Sequence, residues 1–139
     1  MDIEHLLKAA QARLQRLTPE EARERQHDGA NLVDIRPEFQ RRADGEIPDA
    51  IVIERNHLEW RCDPCSDAHI PQATDHDVTW IVMCQEGYSS SLAAASLQQL
   101  GLRNATDVIG GFLGWRAAGL PVAHPNTPTG QRLPVKPSE

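Results

Sequence analysis

Apolar residues recur at helical spacing from Ile3 through Leu6, Leu7, Ala10, Leu14 and Leu17. The stripe predicts an amphipathic first helix packed on its own domain, with a dimer seam as the other reading. Thr18-Pro19-Glu20-Glu21 combines a capping hydroxyl, a proline suited to the first helical position and a reciprocal carboxylate, so a second helix starts there and ends at Gly29. The period then changes. Asn31 to Ile35, Ala50 to Ile53, Val78 to Met83 and Ala105 to Ile109 are short runs, apolar on both faces and separated by helical stretches. They predict an α/β fold whose mostly parallel central sheet is flanked by helices on both faces. The intervening elements are a short charged helix, a turn from Gly45 to Asp49, an Ala- and Leu-rich helix from Ser89 to Leu100 stopped by Gly101, and a short helix after Gly110 that ends near Gly119-Leu120-Pro121.

This organisation divides the chain into a helical extension over 1–29, an α/β domain over 30–124 and a flexible tail over 125–139. The tail carries Pro125, Pro128, Pro134 and Pro137 with little apolar content. A length of 139 residues suits one domain with a real core. No uncharged apolar run approaches the ~18 residues a membrane span needs. The acidic start, Met1-Asp2-Ile3-Glu4-His5, lacks the basic and apolar regions of a secretory signal. The expectation is a soluble, cytoplasmic protein without a membrane partner. Fourteen Lys and Arg against twenty Asp and Glu give a net charge of −6 and no basic cluster, which argues against nucleic acid as a partner. Cys62, Cys65 and Cys84 are odd in number, so reduced thiols fit better than a disulfide framework.

Cys84 carries the chemistry. It follows the apolar run Trp80-Ile81-Val82-Met83 and precedes the helix beginning at Ser89, so it is expected where a strand end meets a helix N-terminus. Backbone N–H groups and the helix dipole there stabilise a thiolate and an anion attached to it. Gly87 permits a turn that points successive N–H groups at one centre. Ser89 and Ser90 are candidates to cap the helix or to hydrogen-bond the sulfur or a ligand. A buried core cysteine, the other common fate of a free thiol, leaves the glycine and the hydroxyls unexplained.

Four motifs in order, Asp34-Ile35-Arg36, Gly45-Glu46-Ile47-Pro48-Asp49-Ala50, Cys84 to Ser90, and Gly110 to Trp115 with Gly119-Leu120-Pro121-Val122, resemble the rhodanese family of sulfurtransferases from about Ala30 to Val122. The resemblance implies a rhodanese-like fold and a Cys84 nucleophile that accepts sulfane sulfur as a persulfide. The sulfur would come from thiosulfate or a persulfide and pass to a thiol or cyanide acceptor. It also implies an anion-binding loop formed by Gln85, Glu86, Gly87, Tyr88, Ser89 and Ser90, with Asp34 and Arg36 as a supporting ion pair. No metal or organic cofactor is required. The implied partners are a small-molecule donor and a thiol acceptor, or a protein persulfide, and the chain would be a monomer or homodimer.

Several positions depart from the family pattern. Glu86 and the lack of Arg or Lys in the loop disfavour a dianionic donor, and Tyr88 suits a larger thiol or a protein-borne persulfide. Glu46 stands where many relatives have histidine and Asp49 where many have glycine, and both read as surface substitutions. Related phosphatases place arginine six residues after the cysteine, a position held here by Ser90, which disfavours phosphoryl transfer.

Two rival readings remain. One is a rhodanese-like binding or regulatory module of low turnover. The other is a thiol redox protein using Cys62 and Cys65, whose spacing in Cys62-Asp63-Pro64-Cys65 fits a redox pair or half a zinc site with His69 and His76 downstream. A lone pair of this kind is more often incidental in a loop, and disulfide formation ranks ahead of metal binding. Trp60, Trp80 and Trp115 are expected as core or helix-packing residues.

Overall fold

A computed structural model describes residues 1–124, and the proline-rich tail expected at 125–139 lies outside the described residues. The elements are α1 (Ile3–Ala12), α2 (Pro19–His27), β1 (Asn31–Asp34), α3 (Glu38–Asp44), β2 (Ile51–Val52), a 3-10 turn at Arg55–His57, α4 (Leu58–Cys62), β3 (Trp80–Met83), α5 (Ser89–Gln99), β4 (Thr106–Asp107) and α6 (Gly111–Ala117). The sheet has the order β2-β1-β3-β4 and every pairing in it is parallel, with Asn31 opposite Trp80 and Asp34 opposite Met83 at the centre. The two strands at its edges are shorter than the apolar runs that predicted them.

The first helix also stops early. Asp2 caps it by accepting the His5 N–H, but helical hydrogen bonding ends at Arg13. The chain then runs beside β4, where the Leu17 N–H donates to the Asp107 carbonyl at 3.0 Å and the Ile109 N–H donates to Leu17 at 2.8 Å. Leu14 and Leu17 are buried as the stripe required, yet not as helix. The second helix begins with the expected reciprocal capping by Thr18 and Glu21.

Burial on both faces follows from the strand alternation. In β3, Trp80 and Val82 join Ala93, Ala94 and Leu97 of α5 in one apolar cluster; Ile81 and Met83 join Ala22, Phe112 and Trp115 in the other. Val82, Leu97, Ile81, Met83 and Phe112 each contribute about 1.5–3 kcal/mol through burial. Helices α4 and α5 cover the first face, with α1 packed on α5, and α2 and α6 cover the second. Trp80 and Trp115 lie in these cores as expected, whereas Trp60 is 61% exposed, because its short helix turns that side outward. Among the described residues no helix is long and apolar enough to cross a membrane.

Candidate active site

Strand β3 ends at Met83, and the next residue, Cys84, is buried at the floor of an open cleft of about 330 Å³. The Gly87 N–H donates to Cys84 Sγ at 3.1 Å and the Ser90 N–H at 3.4 Å. The loop carbonyls are held by other donors: Phe112 N–H takes the Cys84 carbonyl at 2.8 Å and Leu113 N–H takes that of Gln85 at 3.1 Å. The first turn of α6 thus satisfies the acceptors of the loop while two loop donors remain on the sulfur. This arrangement aims two backbone N–H dipoles at Sγ. Gly87 makes it possible with φ of +90°, and a Cβ there would lie 2.9 Å from the Gly110 nitrogen.

The remaining loop residues separate into different roles. Glu86, Tyr88 and Ser89 are exposed and line the cleft. The Gln85 side chain is tied down, donating to Asp44 at 2.6 Å and accepting from Arg36 at 3.2 Å. Ser89 and Ser90 do not cap α5 with their side chains; its N-cap is Tyr88, which makes no side-chain cap. The Ser90 hydroxyl instead donates to Asp107 at 2.8 Å, and the Ser91 hydroxyl does so at 2.7 Å.

Asp107, fully buried in β4, is the centre of a network with no counterpart in the sequence motifs. Arg16 donates from Nε to its Oδ1 at 2.8 Å and from its terminal nitrogen to the Gly87 carbonyl, also at 2.8 Å. The chain between α1 and α2 is therefore bonded directly to the cysteine loop. On the other side of the loop, Arg36 and Asp34 form a buried pair at 2.8 Å. Arg36 also donates to the Gly45 carbonyl at 2.8 Å, and its guanidinium lies 3.9 Å from the centre of the Phe112 ring.

Glu46 is more than a surface substitution. Its side chain pairs with Arg41 at 2.7 Å and its backbone exchanges hydrogen bonds with Ala123. Asp49 is exposed, with φ of +67°, a conformation glycine adopts at less cost.

The redox reading of Cys62 and Cys65 is not supported. Cys62 is sealed in the core among Leu58, Ile70 and Leu97, and burial, with the Glu59 carboxylate adding to it, pushes its thiol up to about 12. Cys65 is exposed, and both thiols are free. A thiol held protonated in an apolar core is a poor partner for exchange.

The rhodanese-like domain model matches residues 18–118, and the chain belongs to that family. It is similar to the thiosulfate sulfurtransferase GlpE of Pseudomonas aeruginosa strain LESB58, with 38% identity over 103 residues that cover 74% of this chain and 84% of the relative. The same-named protein of Haemophilus influenzae is 31% identical over 106 residues, covering 76% and 91%. Among solved structures, a protein of unknown function from Rhodopseudomonas palustris, described as a possible tyrosine phosphatase, superposes with a TM-score of 0.79 at 32% identity over 88% of this chain and 94% of that one. The polysulfide-sulfur transferase homodimer of Wolinella succinogenes shares the fold, with a TM-score of 0.69 at 23% identity over 86% and 85%.

Proposed function

We propose that the protein is a sulfurtransferase in which Cys84 carries sulfane sulfur as a persulfide. Two backbone N–H groups on Cys84 Sγ are the observation that supports it most directly. In the first step the Cys84 thiolate attacks the outer sulfur of the donor. The new S–S bond forms as the donor's own bond to that sulfur breaks, releasing sulfite from thiosulfate or a thiolate from a persulfide. In the second step an acceptor thiolate or cyanide attacks the terminal sulfur and returns Cys84 as thiolate. The loop donors hold negative charge in both resting forms and need no reorganisation between them.

The cleft favours a donor of low charge. Among the described residues its one lining cation is Arg36, already bonded to Asp34, while Glu86 and Tyr88 stand exposed beside it. A thiol persulfide, small or protein-borne, meets less repulsion there than thiosulfate does. Ser90 at the sixth position after Cys84 supplies no guanidinium to clamp a phosphoryl group, and its hydroxyl is committed to Asp107. A reducing cytoplasm suits this use of the thiol.

Intact mass of the reduced protein and of Cys84→Ser, after exposure to thiosulfate and separately to a thiol persulfide, tests the proposal. The expected result is one added reducible sulfur in the parent protein alone, formed more readily from the persulfide. No gain from either donor would overturn it in favour of a binding module that retains the fold.

A further inference from the structure

Residues 63–79, between α4 and β3, contain no helix or strand. An irregular connection of this length in a compact domain is uncommon, and is usually either a functional loop or a disordered linker. This one is fixed at both ends. At its start, the Asp63 carboxylate accepts the Cys65 N–H at 2.9 Å. At its end, Asp77 receives Arg103 on its carboxylate at 2.6 Å and the Asn104 side chain on its carbonyl at 2.8 Å. The His76 ring lies against Gly101, past the end of α5, with Cδ2 only 3.4 Å from where a Cβ would stand. Ile70 and Ala73 are buried between these anchors.

The two anchored ends bring three unlike donor atoms together. A carboxylate oxygen of Asp63, Sγ of Cys65 and a ring nitrogen of His76 all lie within 4.8 Å of one another. No hydrogen bond to the His76 ring occurs among the described residues, and the Cys65 thiol is free. In a tetrahedral zinc site, with metal–ligand distances of about 2.0–2.3 Å, donor atoms stand roughly 3.5 Å apart, so small side-chain rotations suffice to close the cluster. One thiolate, one imidazole and one carboxylate suit Zn²⁺, whereas Ca²⁺ and Mg²⁺ call for oxygen ligands alone. The bond from the Cys65 N–H to Asp63 orients the carboxylate, as outer partners do for metal ligands.

We propose that Asp63, Cys65 and His76 bind one Zn²⁺, with water in the fourth position, and so clip the two ends of the 63–79 loop together. The Cys65 S–H bond breaks as the S–Zn bond forms; the proton goes to solvent and no electrons move. The site shares no residue with the Cys84 loop and stands independently of the sulfurtransferase reading.

The test uses the full chain, reduced and metal-free, in a Cys84→Ser background so that the nucleophilic thiol cannot bind metal. Co²⁺ serves as the spectroscopic probe and a chromophoric chelator measures Zn²⁺ by competition. The expected result is one equivalent of Co²⁺ giving tetrahedral visible bands and a thiolate charge-transfer band. Cys65→Ser should abolish the charge-transfer band, and His76→Ala should weaken Zn²⁺ binding at least ten-fold. The melting temperature should rise with Zn²⁺ only when both residues are present. Binding of neither metal, or binding that survives both substitutions unchanged, would overturn the proposal.

Discussion

The Arg16 guanidinium donates to the Gly87 carbonyl at 2.8 Å from a residue that precedes the family match over 18–118. Arg16 is four-fifths buried and its other partner, Asp107, is wholly so. The same carboxylate collects the Ser90 and Ser91 hydroxyls. The position of the Ser90 N–H on Cys84 Sγ thus depends on a charge pair that spans the edge of the sheet.

Arg16→Gln should destabilise the fold by about 1–3 kcal/mol, because it leaves a buried carboxylate with hydroxyl partners alone. Urea unfolding measures this. Sulfur uptake by the variant should fall under conditions where it remains folded, and Arg16→Gln combined with Asp107→Asn should recover part of the lost stability. Full uptake in the single variant would mean that the network does not hold the loop.

Gly87→Ala and Gly29→Ala separate backbone conformation from crowding. Both glycines have positive φ, +90° and +104°, but a Cβ at Gly29 meets nothing within 4 Å. Gly29→Ala should cost about 1–2 kcal/mol from conformation alone. Gly87→Ala adds overlap with the start of α6, so about 2–4 kcal/mol is expected together with loss of sulfur uptake. Equal costs in thermal melts would show that the loop absorbs the extra carbon.

What the sequence revealed follows from the range of the interactions involved. Local signals sufficed for the central strands at Asn31 to Asp34 and Trp80 to Met83, for the cap at Thr18 and for a cysteine at a strand end before a helix. Arg16 and Asp107 meet across 91 positions of chain, so no spacing advertises them. Ser89 and Ser90 looked like caps because hydroxyls near a helix start usually are, but Ser89 is exposed and a buried carboxylate took the Ser90 hydroxyl instead. Leu14 and Leu17 extended the helical stripe because burial, not helicity, was what the stripe recorded. Trp60 departs from expectation for a simpler reason: aromatic content gives area available for burial but not the side of a short helix on which it falls.

Glu86→Lys should improve thiosulfate as a donor. The substitution exchanges a repulsive charge for an attractive one among the residues lining the cleft, where exposed pairs are worth up to about 1 kcal/mol, so kcat/KM should rise on the order of five-fold at low salt. The gain should shrink as the Debye length falls below ~10 Å above 0.1 M salt. A monoanionic persulfide donor should gain less. A salt-independent change, or an equal gain for both donors, would point to altered loop structure.

Cys62 makes stability depend on pH in the alkaline range. Its folded-state thiol titrates near 12 against an ordinary value of 9.0, chiefly because burial disfavours the thiolate. Below about pH 9 both states hold the proton and the group contributes its full stabilisation. Above it the unfolded chain loses the proton while the folded chain keeps it, so stability declines as pH rises toward 12. The slope from this group approaches but does not exceed about 1.4 kcal/mol per pH unit. Urea midpoints between pH 8 and 10.5, compared with Cys62→Ala, isolate the effect, since alanine removes the titration and, through the cavity it leaves, lowers stability evenly across the range. Alkylation gives a second measure: native metal-free protein should be labelled at Cys65 and Cys84 while Cys62 reacts only after unfolding. A parallel decline in both proteins would assign the alkaline loss to other groups and leave Cys62 as a packing residue alone.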